Sequence, residues 1–491
     1  MKLRDLIAET PYVLDTRGDL DTEIREITST SKDKTTDGLF FCIVGARFDA
    51  HDYAFEAVAN GCVALIVERY VELDVPQVRV SNGRATMSRV AMAFFGYPSR
   101  SLRMVGITGT KGKTTTTYLL KSIMEKAGIP CGLIGSTGSM IGDRHLDGKL
   151  TTPDPIDLQR MLRRMVDEGV QAVCMEVSAH AIDMNRLDGM EFEVGCYTNL
   201  SQDHLDYFYT MERYFETKKL FFTSGMVRNA AANADDETTA ELTKDLTIPY
   251  VTYAIAQNAD VFARDIEITE EGVHFPVQMQ GMSELRLRMR MTGMFNVYNA
   301  LAASSCALIM GIEPEQIREG LEAVASVPGR IEMLQTGTPY KVILDYSHAP
   351  EALRNILKTV RQFARNRVIA VFGCGGDRDK GKRPMMGEIG GRLADYCILT
   401  SDNPRTENPL VILAAIEKGI KPTGGAYEVI ENRRDAIRRA LEMGQDGDVI
   451  VLAGKGHETY QEIMGVKRPF DEKVIVSEIL LEMKKREEAE K

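Results

Sequence analysis

Thr108-Gly109-Thr110-Lys111-Gly112-Lys113-Thr114-Thr115 is a run of residues that can hold phosphate. Its glycines let backbone N–H groups approach an anion, and a helix starting after it adds partial positive charge. In such a loop Lys113 reaches the β- and γ-phosphates and the Thr114 hydroxyl is a ligand for Mg²⁺. The spacing departs from the common nucleoside-triphosphate loop, because Ile107 stands where its first glycine belongs and Gly106 comes one place early. Glu176 is the second chemical signal. It lies between Met175 and Val177 in an apolar run, where an unpaired carboxylate is expensive, so a cation partner is expected. His204, in Asn199-Leu200-Ser201-Gln202-Asp203-His204, reads either as a metal ligand or as a hydrogen-bonded histidine. Asn296 and Asn299 share a helix face and suit either a purine edge or a helix cap.

These groups need elements to position them. Met104 to Ile107 reads as a buried strand, and Tyr118, Leu119, Leu120, Ile123, Met124 and Ala127 recur at helical spacing. Thr151-Thr152-Pro153-Asp154 follows a Gly-rich link and precedes a helix from Ile156 to Glu168. Strands follow at Val170 to Val177 and Val194 to Thr198. A helix from Met211 to Phe222 carries Lys218 and Lys219, which read as ordinary surface lysines. Beyond Val327-Pro328-Gly329-Arg330, strands and helices alternate in a second parallel α/β pattern, with strands at 342–344, 368–372, 396–400 and 449–452. Ligands in such sheets lie at the carboxyl ends of the strands. Those ends here carry Asp345-Tyr346-Ser347-His348, Gly373 to Arg378, Ser401-Asp402-Asn403-Pro404-Arg405 and Ala453-Gly454-Lys455-Gly456-His457-Glu458, four polar loops on one edge.

At 491 residues the chain predicts about three domains. Its 44% hydrophobic and 27% charged content is that of a globular protein, and a net charge of −11 argues against nonspecific nucleic-acid binding. Eight cysteines with no C-x-x-C pair read as reduced core residues in a cytoplasmic protein. The start, Met-Lys-Leu-Arg-Asp, lacks a signal-peptide core, and residues 291–312 read as a buried helix rather than a membrane span. Before the phosphate loop, strands are expected at 39–44 and 63–67 and a helix at 51–60. Thr30-Ser31-Lys32 and the turn from Gly45 through Ala46 and Arg47 to Asp52 say little alone. The charged tail from Lys484 is expected to fray.

Taken in order, T-G-T-x-G-K-T-T, Met175 to Ser178, Asn199 to Tyr207, Asn296/Asn299, Gly329-Arg330, Asp345 to Pro350 and Gly454 to Glu458 resemble the Mur ligase family, ATP-dependent enzymes that extend the peptidoglycan precursor. The likeness covers nearly the whole chain. It implies an α/β protein of three domains: a small UDP-binding unit (1–103), a central P-loop ATPase unit with a mainly parallel sheet (104–330) and a C-terminal Rossmann-like unit (331–491). Asp402-Asn403-Pro404-Arg405 implies the step that adds meso-diaminopimelate to the D-Glu γ-carboxylate of UDP-N-acetylmuramoyl-L-Ala-D-Glu. A guanidinium suits the second carboxylate that lysine lacks.

The resemblance also assigns residues. Gly109 to Thr115, Asn296, Arg330 and Asp345 would serve ATP, and Lys113, Glu176, His204 and Lys218 would be catalytic. Thr114, Glu176, His204 and Lys218, the last as a carbamate, would hold Mg²⁺. Ser31, Thr151, Thr152, Ser178 and Arg186 would hold the UDP-muramoyl dipeptide. Arg378, Asp402, Asn403, Pro404, Arg405, Gly454 and Glu458 would hold diaminopimelate. The implied enzyme is a cytoplasmic monomer with neither nucleic acid nor membrane as partner. The family's usual patterns differ at Thr30, Lys32, Ala50 and Met184. The rival readings are the same ligase using L-lysine, a related ligase such as folylpolyglutamate synthase, a non-catalytic scaffold, and a nucleotide switch.

Overall fold

The computed structural model describes residues 1–45, 48–146, 150–269, 271–279, 281 and 283–489. Ala46 and Arg47, inside the polar turn noted above, lie outside the described residues, as do the last two of the charged tail. Three sheets organise the chain, each with its own apolar core.

The first sheet has five strands, ordered Val13–Arg17, Gln77–Val80, Cys62–Val67, Gly38–Cys42 and Glu26–Thr28. Only the first pairing is antiparallel. Gly38–Cys42 is buried throughout, as its Leu-Phe-Phe-Cys run requires. The expected helix at 51–60 is a short 3₁₀ turn, Ala50–Tyr53, running into Ala54–Ala59.

The second sheet is built on seven parallel strands, with Arg103–Thr108 between Phe192–Tyr197 and Ala172–Glu176. Every residue of Ala172–Glu176 is buried, so both faces are covered. Antiparallel strands, including Val273–Met279 and Leu285–Met289, extend one edge. The helix Lys113–Lys126 packs against Met294–Ile309, the uncharged stretch read as a buried soluble helix. Among the described residues no helix is long and apolar enough to cross a membrane.

The third sheet runs Glu332–Leu334, Lys341–Asp345, Val449–Ala453, Val368–Phe372, Tyr396–Leu399 and Ala426–Val429, parallel except at Glu332–Leu334. Its four loaded loops follow four neighbouring strands. Residues 484–489 of the charged tail belong to the helix Glu472–Ala489. Ile475, Val476 and Ile479 on its inner face bury against this sheet and hold it.

Candidate active site

The phosphate loop turns where only glycine fits. Gly109 has φ of +144°, and a Cβ there would meet Thr198 Oγ1 at 1.9 Å. Residues outside the loop fix its shape. Thr110 N donates to Asn199 O (2.8 Å) and Lys111 N to Asn199 Oδ1 (2.9 Å), while Thr198 Oγ1 donates to Lys111 O (2.7 Å). Lys113 Nζ curls back to the carbonyls of Gly109 and Thr110, each at 2.9 Å. Asn299 backs the loop from Met294–Ile309, with Oδ1 in reach of Thr116 Oγ1 (3.5 Å) and Nδ2 donating to Asn296 Oδ1 (3.0 Å). Asn296 in turn donates to Thr292 O (2.8 Å), so both carboxamides brace the helix start.

Lys218 corrects its reading as a surface lysine. It is 1% exposed, with Nζ donating to Gly109 O at 3.0 Å, the carbonyl that Lys113 also uses. The helix Met211–Thr223 turns Lys218 inward and Lys219 outward, where Lys219 pairs with Glu216 and Asp245. Two ammonium groups on one carbonyl oppose each other's charge. Burial, then Lys113, hold the Lys218 amine well below the ordinary lysine range, and enclosure brings Lys113 down to about 8.

Glu176 closes the base of the site. Its Oε1 accepts from Ser136 N (2.8 Å) and Ser136 Oγ (2.9 Å), and that hydroxyl lies 3.0 Å from Thr114 Oγ1. Thr114, Ser136 and Glu176 thus present hydroxyl and carboxylate oxygens together, a hard donor set suited to a Mg²⁺-like ion. Among the described residues no three His, Cys, Asp or Glu side chains form a metal-binding group. Ser136 escaped the sequence reading, and its one signal is its place in Gly135-Ser136-Thr137-Gly138 at a strand end.

Lys111 pairs with Asp203 at 3.2 Å. Although burial opposes it, Lys111 and the nearby His204 keep the Asp203 carboxyl well below the usual range. His204 follows in a left-handed conformation (φ +57°), its ring edge-on to His180 at 4.8 Å. Enclosure lowers its imidazole to about 4 against the pull of Asp203, although 44% of the side chain stays exposed.

Thr152, Ser178 and Arg186 come together beside Glu176. Thr152 Oγ1 donates to Glu176 O (2.8 Å) and accepts from Ser178 N (3.0 Å), and Arg186 Nη1 donates to Thr152 O (2.7 Å). Thr151 immediately precedes this group. Ser31 belongs to the first sheet's end, where its hydroxyl donates to Glu56 (2.6 Å).

The second and third sheets face each other through this site. Arg330 Nη2 donates to Thr114 Oγ1 (3.0 Å), and His457 Nε2 meets Ser136 O (3.0 Å). Gly329 makes the approach possible. Its φ is +67°, and a Cβ would lie 2.3 Å from His457 N. Asp345, pushed up by burial, accepts from Ile331 N (2.8 Å) and from the Ser347 hydroxyl, and its carbonyl holds Gly454 N (2.9 Å).

The loops 373–378 and 402–405 interlock. Gly376 N donates to Asn403 O (2.9 Å), and a Cβ on Gly376 would strike Pro404 O. Arg405 Nη1 donates to Gly376 O (2.8 Å), with Nε 3.5 Å from Glu462. Beneath them Arg383, 2% exposed, grips Glu407 (2.8 and 3.1 Å), which also accepts from Asp377 N (2.6 Å). Arg378 is exposed and touches only its neighbour's carbonyl among the described contacts. Lys455, fully buried and unassigned from sequence, donates to Asn403 Oδ1 and Glu458 Oε2, each at 3.1 Å, with Asp402 3.9 Å away. Asn403 Nδ2 also donates to Glu458 (2.8 Å). Lys455 thus ties Asp402, Asn403 and Glu458 into one acidic corner.

Comparison with known proteins identifies the family. The Mur ligase middle domain matches residues 107–307, and the Mur ligase glutamate ligase domain matches residues 329–456. The UDP-N-acetylmuramoyl-L-alanyl-D-glutamate–2,6-diaminopimelate ligase of Caldanaerobacter subterraneus subsp. tengcongensis is 44% identical over 99% of this chain and 100% of its own. Ligase 1 of the same name from Clostridium acetobutylicum is 42% identical over 98% and 100%. A solved structure of a ligase of that name superposes with a TM-score of 0.70 at 31% identity, covering 98% of this chain and 99% of its own. A shared phosphate loop could be coincidence, but a likeness running through all three sheets at this identity is descent, and the chain belongs to the Mur ligase family.

Proposed function

We propose that the chain is an ATP-dependent ligase that joins meso-2,6-diaminopimelate to the D-Glu γ-carboxylate of UDP-N-acetylmuramoyl-L-Ala-D-Glu. The observation that carries the reading is direct contact across the two sheets: Arg330, in the link that enters the third sheet, meets Thr114 of the phosphate loop, and His457, on a loaded strand end, meets Ser136 beside it. A phosphoryl donor on one side then lies against an amine donor on the other.

In the first step a γ-carboxylate oxygen attacks the γ-phosphorus of ATP, the bond to the bridging oxygen breaks, and ADP leaves an acyl phosphate. In the second, the amine nitrogen attacks the acyl carbon, the carbon–oxygen bond to phosphate breaks, and inorganic phosphate and one proton are released. Both steps depend on positioning and charge. Lys113 swings from its own loop carbonyls to the phosphates, and Arg330 adds a second cation. Thr152, Ser178 and Arg186 hold the dipeptide beside Glu176. Arg405 and Arg378 meet the distal carboxylate of diaminopimelate, and the corner built by Asp402, Asn403 and Glu458 receives its ammonium. Thr114 and Glu176, with Ser136, would hold one Mg²⁺, and His204 with carbamylated Lys218 a second. Bound there, Mg²⁺ neutralises phosphate charge. Ser31 contributes to the UDP end.

The test is phosphate release with ATP, Mg²⁺ and UDP-N-acetylmuramoyl-L-Ala-D-Glu, comparing meso-diaminopimelate with L-lysine. Release with diaminopimelate alone, and a tripeptide product by mass, is expected. Release with lysine would overturn the arginine assignment, and release with neither would overturn the reaction.

A further inference from the structure

Ser136 sits in the turn between the strands Cys131–Gly135 and Gly138–Ile141 and is held from two sides. Its backbone N and its hydroxyl both donate to Glu176 Oε1, at 2.8 and 2.9 Å. Among the described residues these are the only hydrogen bonds to that carboxylate. It is fixed at one oxygen and leaves Oε2 for a cation. Gly135 admits it, since a Cβ there would stand 2.4 Å from Oε1. On the other side the Ser136 carbonyl meets His457 Nε2 at 3.0 Å, across 321 positions of the chain. A carbonyl only accepts, so Nε2 carries the proton. The side-chain partners of the turn, Thr114 and Tyr118, belong to a helix of the same sheet, whereas His457 comes from the third. The loop that brings it is itself tight. The His457 ring lies 5.0 Å from Tyr346, and the Tyr346 hydroxyl reaches Glu458 at 3.4 Å. Glu458 N donates to Lys455 O (3.0 Å), and its carboxylate belongs to the corner with Lys455 and Asn403. Successive residues of one loop therefore serve the Ser136 turn and the amino-acid corner.

We propose that His457 is a positioning residue for the metal carboxylate: from the third sheet it anchors the Ser136 turn, and the turn sets Glu176. The inference rests on the ligase reading above, in which Glu176 holds Mg²⁺. Without the imidazole, Ser136 keeps its bonds to Glu176 but loses its anchor outside the sheet, and turn and carboxylate shift together. The cradle for the ion is thus complete only when the half that carries the amino-acid loops is seated against the half that carries the phosphate loop.

The experiment is a Mn²⁺ titration of the full-length protein without turnover, with ADP held below the protein concentration and free Mn²⁺ read by its electron-spin resonance signal. Glu176→Gln comes first. If it binds Mn²⁺ as the wild type does, the metal reading of Glu176 fails and the proposal with it, while the ligase reaction still stands or falls on its own phosphate-release assay. With weaker binding in Glu176→Gln established, His457→Ala is expected to raise the Kd for Mn²⁺ about tenfold. His457→Gln, which keeps a donor for Ser136 O, should recover most of that loss. In phosphate release by His457→Ala, the Mg²⁺ concentration for half-maximal rate should rise by the same factor, while the KM for diaminopimelate stays within about threefold. Wild-type Mn²⁺ affinity in His457→Ala overturns the proposal. So does an equal loss in the Ala and Gln variants, which would make the ring only a packing element against Tyr346. Should the Ala variant fold poorly, His457→Phe, which keeps a ring on Tyr346 but lacks the donor, is compared with His457→Gln, and equal affinities in those two overturn the proposal in the same way.

Discussion

Replacing Arg405 by alanine should separate the two ends of the reaction. The Arg405 side chain is 21% exposed and held by Gly376 O at 2.8 Å. Its backbone is fixed independently, since Arg405 N donates to Glu462 O (3.0 Å) and Met464 N to Arg405 O (2.6 Å). The truncation therefore removes a guanidinium while leaving the loop anchored. A charge-assisted hydrogen bond to a carboxylate contributes about 1.5–3 kcal/mol. At about 1.4 kcal/mol per decade that is about 10- to 100-fold in kcat/KM for diaminopimelate. In the proposed reaction ATP lies at the second sheet, so its KM should hold within about threefold. Lysine has no distal carboxylate to lose, so the preference for diaminopimelate over lysine should shrink by the same factor. The assay is phosphate release with one substrate varied at a time. If the KM values for ATP and diaminopimelate rise equally and the preference persists, Arg405 is a strut for Gly376 and meets no substrate.

Three other outcomes follow from the geometry. Burial lowers the His457 imidazole to about 4, so between there and its ordinary 6.5 the folded chain binds fewer protons than the unfolded one. Its contribution is complete above pH 6.5 and is lost as pH falls toward 4, so the urea midpoint should drop across that window, and less steeply in His457→Gln, which keeps a donor for Ser136 O; identical slopes would refute the role. Arg433 and Glu472 form an ion pair with both side chains fully buried (2.7 Å). Arg433→Met alone should cost about 3–5 kcal/mol and the double apolar replacement far less, as read by thermal unfolding; equal losses would show that the pair itself stabilises. The buried Lys218 amine, held well below the ordinary lysine range, should take up CO₂. Intact-mass measurement in bicarbonate should then show a gain of one CO₂ that maps to Lys218 and is absent in Lys218→Met, and a gain that persists in the variant would place it elsewhere.

The elements that carry chemistry were legible because they are local. The loop at 108–115, the apolar run into Glu176 and the strand at 368–372 announce themselves by spacing and hydrophobicity. The loops at the third sheet's edge could be placed together because parallel strands put their carboxyl ends on one side. Contacts between distant segments left no such trace. Lys218 looks like any helix lysine until the fold brings Gly109 to it, more than a hundred residues away in sequence. Ser136 sits in an ordinary strand-end turn and gains its role only from Glu176 and Thr114. Lys455 was visible as a residue, but its three partners come from another loop and from the turn after it. The docking of the last helix was likewise unmarked, because Ile475, Val476 and Ile479 find their partners only on the assembled third sheet.

Strand order in the third sheet has a consequence for the timing of assembly. Val449–Ala453 lies between Lys341–Asp345 and Val368–Phe372, although it follows all the other strands of that sheet in the chain. A nascent chain that has emerged only as far as residue 429 holds an intact phosphate loop and central sheet, but its third sheet is two unjoined ribbons with unpaired edges. Vectorial synthesis therefore delivers the phosphate-loop sheet first and withholds a complete third sheet until the keystone strand arrives. Until then the exposed edges at 341–345 and 368–372 are surfaces for chaperones or for misassembly.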